Sequence, residues 1–209
     1  MKFQILCDNK NSWIIPYIIA YVETKKSKSL DCSFCQDHDD VSKGDVLVLL
    51  SCKKLFIGLH LNKYNLVVHE SLLPEGKGWS PLTWQILEGK SKIPVTLFEA
   101  EEKVDSGLIY GVEYISLEGH ELINEIRALQ ARSTFLLLDK FIGSYPYNQG
   151  VKQVGIPTFY PRRTAKDSEL KIDLPIREQF NMLRVCDNDR YPAFIIVEGI
   201  KYYMKIEKA

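Results

Sequence analysis

No stretch of the 209 residues is apolar for the length that a bilayer crossing requires, so no membrane partner is expected. The opening MKFQILCDNK lacks a long apolar run ending in small residues, which predicts no export signal and a cytoplasmic location. Neither sign of charge is in excess: 27 Lys and Arg balance 27 Asp and Glu. Proteins that track nucleic acid carry a basic surplus, because their affinity comes from neutralising phosphates. The balance therefore argues against a nucleic-acid partner, while leaving room for a small phosphorylated ligand held by two or three cations. Gly-x-Gly-x-x-Gly is missing after the first apolar run, so the dinucleotide fingerprint is excluded. Cysteines are few and odd in number (Cys7, Cys32, Cys35, Cys52, Cys186), which fits reduced, buried thiols. Cys32-x-x-Cys35 has only His38 nearby and no second pair, so a zinc site lacks ligands and no metal is expected. No internal repeat is present.

What is there reads as an ordinary globular chain, 45% hydrophobic and 26% charged, long enough for one full core with a small appendage. KFQILCD, LDCSFCQ, DVLVLLSC and YNLVVHES are short apolar runs of strand type, and the third is apolar almost throughout. Ile14, Ile15, Ile18, Ile19 and Val22 recur at helical spacing, with Pro16 tolerable only in the first turn. Strands buried on both faces with helical connections imply a parallel sheet. The expected fold is α/β: a small Rossmann-like, doubly wound, mostly parallel sheet. Farther on, Ser80 is placed to N-cap a helix opened by Pro81 and closed by Gly89. PVTLFEAE and LIYGVEYIS read as two more strands, and a long helix is predicted from about Gly119 to Ile142, stopped by Gly143. This body spans residues 1–143. Residues 144–209 read as an irregular linker to Pro161, a short helix from Pro175 to about Arg184, and a β-hairpin made of AFIIVEG and IKYYMKI. The tail is too small for its own core and is expected to pack on the body or on a second copy. Its apolar hairpin predicts a homodimer.

Chemistry concentrates in VVHESLLPEGKGWSP, residues 67–81. Open α/β sheets bind ligands beyond the carboxyl ends of their strands, and His69 ends a central one. Pro74, Gly76 and Gly78 let the following loop bend and approach a ligand closely. Asp105 lies in a turn after another strand, where a carboxylate can orient an imidazole and stabilise its protonated form.

HESLLPEGKGWSPLTWQILEG followed by IPVTLFEAEEKVDSGLIY resembles the folate-dependent formyltransferase family. That family shows a His-x-Ser-x-Leu-Pro loop, a glycine, a helix opened by proline, a Val-Thr strand and Val-Asp-x-Gly, in that order. Asp105 stands 36 residues after His69, the family's usual interval. The likeness runs from Val67 to Leu122, with a weaker echo in FYPRRTAKDSELKID. It implies formyl transfer from N10-formyltetrahydrofolate to an amine, with His69 shuttling the proton and Asp105 fixing it. The run GWSPLTWQILEG is most similar to the sugar-nucleotide branch, which implies a UDP-linked 4-amino-4,6-dideoxy sugar of the kind used in pseudaminic-acid glycan biosynthesis. The same site serves other amines, so a carrier-bound aminoacyl group, methionyl-tRNA, or a non-catalytic protein keeping the fold remain alternatives.

By the same resemblance, the folate is expected against Leu50, Ser51, Leu72, Leu73 and Pro74, with its polar edge on Phe98, Glu99, Ala100, Glu101 and Val104. Asn9, Ser12, Lys77, Gly78, Arg162 and Arg163 are candidate contacts for the nucleotide's polar groups. Trp13, Trp79 and Tyr160 are candidates to stack on its base. One departure stands out. The family's Asn-x-His becomes Val67-x-His69 here. Asn65 shares the strand face but lies about 13 Å behind His69, out of reach without a bulge. A protonated His69 and backbone N–H groups of the loop containing Gly76 and Gly78 are therefore expected to stabilise the oxyanion in place of the missing amide.

Overall fold

The computed structural model describes all 209 residues. The body forms β1 (Lys2–Leu6), α1 (Ile15–Ser27), β2 (Asp31–Cys35), β3 (Gly44–Leu49), β4 (Asn62–His69), the short β5 (Lys77–Gly78), α2 (Pro81–Leu87), β6 (Lys92–Glu99), β7 (Ile109–Ser116) and α3 (Ile123–Ser144). The remainder forms β8 (Phe159–Tyr160), α4 (Ile176–Val185), β9 (Ala193–Val197) and β10 (Ile200–Met204). The central sheet has the order β2-β1-β3-β4-β6-β7. β1 to β4 are mutually parallel; β6 and β7 join antiparallel at the far edge. The mostly parallel α/β sheet expected from the apolar runs is the one observed.

Alternation along the strands sorts side chains onto two faces. Phe3, Ile5, Val46, Val48, Leu66, Val95 and Leu97 point to one face and pack with Ile18, Val22, Ile86, Ile126 and Phe141 of the helices. Fully burying each such side chain contributes roughly 1.5–3 kcal/mol. The other face carries Leu6, Leu47, Cys35, Val41 and Phe56, under connections with only short 3₁₀ turns at His38–Asp40 and Leu59–Leu61. All five cysteines are free. At the β1/β3 ends, Asp8 accepts the N–H groups of Lys53 (2.6 Å) and Lys54 (3.0 Å) and meets His38 at 3.1 Å. Burial raises its carboxyl pKa, but these donors outweigh it and hold Asp8 below the usual range.

Three local expectations shift. The long helix starts at Ile123, because Gly119 is left-handed (φ +98°) and its N–H donates to Glu121, making a turn. The Glu125 carboxylate accepts the Leu122 N–H at 2.8 Å and sets the helix start, and the helix runs through Gly143 to Ser144. Ser80 precedes α2 in a left-handed conformation (φ +50°), and its hydroxyl makes no cap bond. The segment 144–161, expected to be irregular, contributes β8, which pairs in parallel with β5.

The C-terminal elements close on a small cluster of Leu170, Leu183, Cys186 and Ala193. They are tied to the body by Arg184–Glu121 at 2.9 Å and Arg127–Asp187 at 2.8 Å. Arg184 is 2% exposed. Burial opposes ionisation of Glu121, but the N–H groups of the Glu118–Glu121 turn and the Arg184 guanidinium outweigh it and hold the carboxyl at about 2. Ile196, Ile200, Tyr202 and Tyr203 of the hairpin remain exposed.

Candidate active site

β4 ends in His69, whose ring is buried and sits with Nε2 2.9 Å from the Gly76 carbonyl oxygen. A carbonyl only accepts, so Nε2 carries the hydrogen. The backbone around His69 is fixed from three sides. Thr96 Oγ1 donates to the Ser71 carbonyl at 2.5 Å, Gln85 Nε2 donates to the Glu70 carbonyl at 2.6 Å, and Gln130 donates to the Glu70 carboxylate. Burial pushes the Glu70 carboxyl above the usual carboxylate range, against the opposing pull of His69 and Gln130.

Asp105 reaches the same loop by a different atom. Its Oδ2 accepts the Gly78 N–H at 3.2 Å, while Gln153 Nε2 donates to the carbonyls of Asp105 (3.1 Å) and Gly107 (3.0 Å). Asp105 itself is left-handed at φ +55°. The structure brings His69 and Asp105 to one loop, two residues apart, with the loop peptides between them. Gly78 has to be glycine: at φ +96°, a Cβ there would lie 2.5 Å from the Tyr160 carbonyl oxygen.

The loop's own N–H groups are occupied. Gly76 donates to Thr158 Oγ1 (2.8 Å), Lys77 to the Thr158 carbonyl (2.9 Å), Gly78 to Asp105, and Trp79 to the Tyr160 carbonyl (3.2 Å). The N–H groups of Gly76 and Gly78 thus hold the loop in place and are not free to serve as oxyanion donors. Leu72 and Leu73, just after His69, keep N–H groups with no partner in the chain. Asn65 does stay out of the site, as expected. Its Nδ2 donates to the Leu59 carbonyl at 2.8 Å, and its own N–H donates to Glu99 at 2.6 Å.

The remaining candidates divide by what their side chains touch. Leu50, Phe98, Leu73 and Pro74 are buried, so any ligand would meet mainly their backbone. Leu72 and Val104 are 46% and 64% exposed, giving apolar side chains close in sequence to His69 and Asp105. Glu101 is exposed, Ala100 is half-buried, and the N–H groups from Glu101 to Val104 are unbonded. Burial raises the Glu99 carboxyl. Ser12 Oγ donates to Ser51 Oγ at 2.8 Å, and the Asn9 carbonyl accepts the Ser12 N–H at 2.8 Å. Trp13 packs edge-on to Tyr17. Lys77 is buried. Tyr160 stacks on Trp84 and donates to Glu88 at 2.9 Å, while Arg163 donates to the Asp167 carbonyl at 3.0 Å. Trp79 stays 52% exposed with the Arg162 guanidinium 4.9 Å from its ring centre.

Gln85, Thr96, Gln153 and Thr158 are the site's supporting residues that sequence reasoning passed over. Thr158 lies 82 residues from the peptide it holds. No local spacing marks such a pair.

A strand-end histidine is thus buried against a left-handed glycine loop on an open α/β sheet, and a carboxylate from a second loop bonds the same stretch. The formyl transferase family model matches residues 11–132, and the chain belongs to that family. Methionyl-tRNA formyltransferase from Lactobacillus acidophilus is 27% identical over 143 residues, covering 65% of this chain and 44% of the relative. The chain thus spans less than half the length of the curated relatives it matches. Among solved structures, methionyl-tRNA formyltransferase from Clostridium thermocellum superposes with TM-score 0.81 at 20% identity, over all of this chain and 94% of that one. A 4-N formyltransferase from Francisella tularensis gives 0.73 at 18%, over 99% and 97%. HypX from Aquifex aeolicus in complex with tetrahydrofolic acid gives 0.77 at 15%, over 99% and 37%. At these identities the structural likenesses establish a shared formyltransferase fold.

Proposed function

We propose that the protein transfers a formyl group from N10-formyltetrahydrofolate to the amine of a nucleotide-linked sugar, a UDP-linked 4-amino-4,6-dideoxy hexose, for surface-glycan synthesis in the cytoplasm. The observation that carries the acceptor class is the Trp79–Arg162 pair. A half-exposed indole with a guanidinium 4.9 Å over its ring stands one residue from Gly78, which binds Asp105. Aromatic faces stack on bases, and a guanidinium pairs with phosphate. Family membership supports the donor. The site's features fit a flat, hydrogen-bonding pterin: exposed Leu72 and Val104 offer an apolar wall, and the unbonded N–H groups of Glu101–Val104 offer a polar edge.

When bound, the folate supplies the activated formyl carbon and leaves as tetrahydrofolate. The acceptor amine loses one proton and the departing nitrogen gains one. His69 relays it, with Nε2–H on the Gly76 carbonyl and Nδ1 unbonded. Asp105 holds the Gly78 end of the loop. The free N–H groups of Leu72 and Leu73 are the donors available where Val67 supplies none. The exposed hairpin residues Ile200 and Tyr203 suit a homodimer contact, which light scattering tests: a monomer at all working concentrations refutes it.

The decisive assay incubates the protein with formyl donor and a panel of UDP- and dTDP-linked amino sugars, a carrier-bound aminoacyl group and methionyl-tRNA. A mass gain of one formyl group on a nucleotide sugar is expected. A gain on methionyl-tRNA, the substrate in the names of the curated relatives, overturns the acceptor assignment while keeping the family chemistry.

A further inference from the structure

We infer that Thr158 is a positioning residue for the transfer: through the Gly76 peptide it fixes the tautomer of His69, so that the proton moves on and off Nδ1. Three bonds form a chain. Thr158 Oγ1 accepts the Gly76 N–H at 2.8 Å. The Thr158 carbonyl accepts the Lys77 N–H at 2.9 Å, which seats β5 on β8. The Gly76 carbonyl accepts from His69 Nε2 at 2.9 Å. Gly76 is left-handed at φ +67°, and a Cβ there would lie 2.8 Å from Ser71 Cβ. The Gly76–Lys77 peptide is bonded on both edges, its carbonyl to His69 and its N–H to the Thr158 carbonyl, and the preceding peptide is held at the Gly76 N–H by Thr158 Oγ1, so the backbone on either side of Gly76 has little freedom.

The chemical consequence follows from the imidazole. A neutral ring has one N–H, and a carbonyl opposite Nε2 requires it there. Nδ1 then holds the lone pair that takes a proton from the incoming amine, and Nδ1–H is what returns it. A loop able to rotate would turn that oxygen away from Nε2 and leave the ring free to carry its hydrogen on Nδ1 instead. Asp105 secures the other end of the same loop at Gly78, so the ring orientation is set by two residues, neither of which bonds to the ring. The C-terminal segment is thus part of the catalytic geometry.

The inference rests on His69 being the proton relay, and the test separates the two. In ¹⁵N-histidine-labelled protein, with His69 assigned by loss of its signals in His69→Gln, long-range ¹H–¹⁵N spectra above the ring's titration should show Nε2 protonated and Nδ1 bare. An Nδ1–H tautomer overturns the pinning, whatever His69 does in catalysis. In Thr158→Ala the His69 signals should move toward a tautomer mixture, and kcat should fall about tenfold with KM for donor and acceptor within about twofold. Thr158→Ser should restore both. Thr158 is exposed and its carbonyl bond to the Lys77 N–H survives the substitution, so folding should be retained. A Thr158→Ala variant with wild-type kcat, or one altered only in KM, overturns the positioning role. Turnover retained in His69→Gln with the expected tautomer in the wild type overturns the relay instead and leaves the pinning standing.

Discussion

The C-terminal third is attached to the body at two places that differ in kind. At β8 the attachment is made of backbone bonds and one exposed hydroxyl, laid along the loop that follows His69. At α4 it is a guanidinium 2% exposed against a carboxylate in the turn before α3, held by further N–H donors. The first adds little burial but fixes the geometry of a reactive side chain. The second is part of the molecule's stability and touches none of the reacting groups. Geometry and stability are therefore separable here by mutation.

The largest effect should come from the site itself. His69→Ala should lower turnover about 10²–10⁴-fold, the range for a lost general acid–base, with the melting temperature little changed. Asp105→Asn keeps an oxygen for the Gly78 N–H but removes the charge, so steady-state kinetics should show a smaller loss. Equal losses in the two variants would argue that Asp105 contacts the ring directly in the working complex.

On the stability side, Arg184→Ala leaves the Glu121 carboxylate buried without its cation. Denaturant unfolding should show a loss of about 3–5 kcal/mol. The intact pair also sets an acid limit. The Glu121 pKa is about 2 when folded and should return to the ordinary carboxylate range when unfolded. The folded form binds fewer protons across that interval, so stability rises with pH there. The contribution is complete above about pH 5 and is lost as pH falls toward 2; its full size is on the order of 3 kcal/mol. Arg184→Ala should reduce that acid limb without abolishing it, since the turn's N–H groups still hold the Glu121 carboxylate, while Thr158→Ala should leave it unchanged. A reduced limb in both variants would show that the two attachments form one cooperative unit.

The smallest effects should separate Asn65 from His69, which share a strand face four residues apart. The Asn65 amide is bonded inside the fold, so Asn65→Ala should cost stability rather than turnover, and kcat within about twofold of wild type is expected. Val67→Asn should be tolerated. An Asn65→Ala variant as inactive as His69→Ala would mean that the strand rearranges to deliver that amide.

How much of this was legible beforehand follows the range of the interactions. Apolar strands and helical spacing are local, and the sheet and helix face they implied are present. Boundaries set by a side chain's choice of partner were not legible: Glu121 taking the Gly119 N–H moved the start of α3, and Ser80 turned left-handed instead of capping α2. Of the site, the motif order brought out His69, Asp105 and the glycines, because a strand end and a bent loop are written in adjacent residues. It did not show that Asp105 binds the loop rather than the ring, or that the Gly76 and Gly78 N–H groups are taken.

By itself, then, the sequence determined the α/β class and the placement of His69 at a strand end, since both follow from residue type and short-range periodicity; the absence of an amide at Val67 came from the resemblance to the family's Asn-x-His. Only the tertiary structure decided which nitrogen of His69 carries the hydrogen, because that depends on where the Gly76 carbonyl points. That direction is set by Thr158 and Asp105, which lie 82 and 27 residues from the loop positions they hold. Contacts closed over such separations depend on the packing of the whole chain, and no local pattern of residues encodes them.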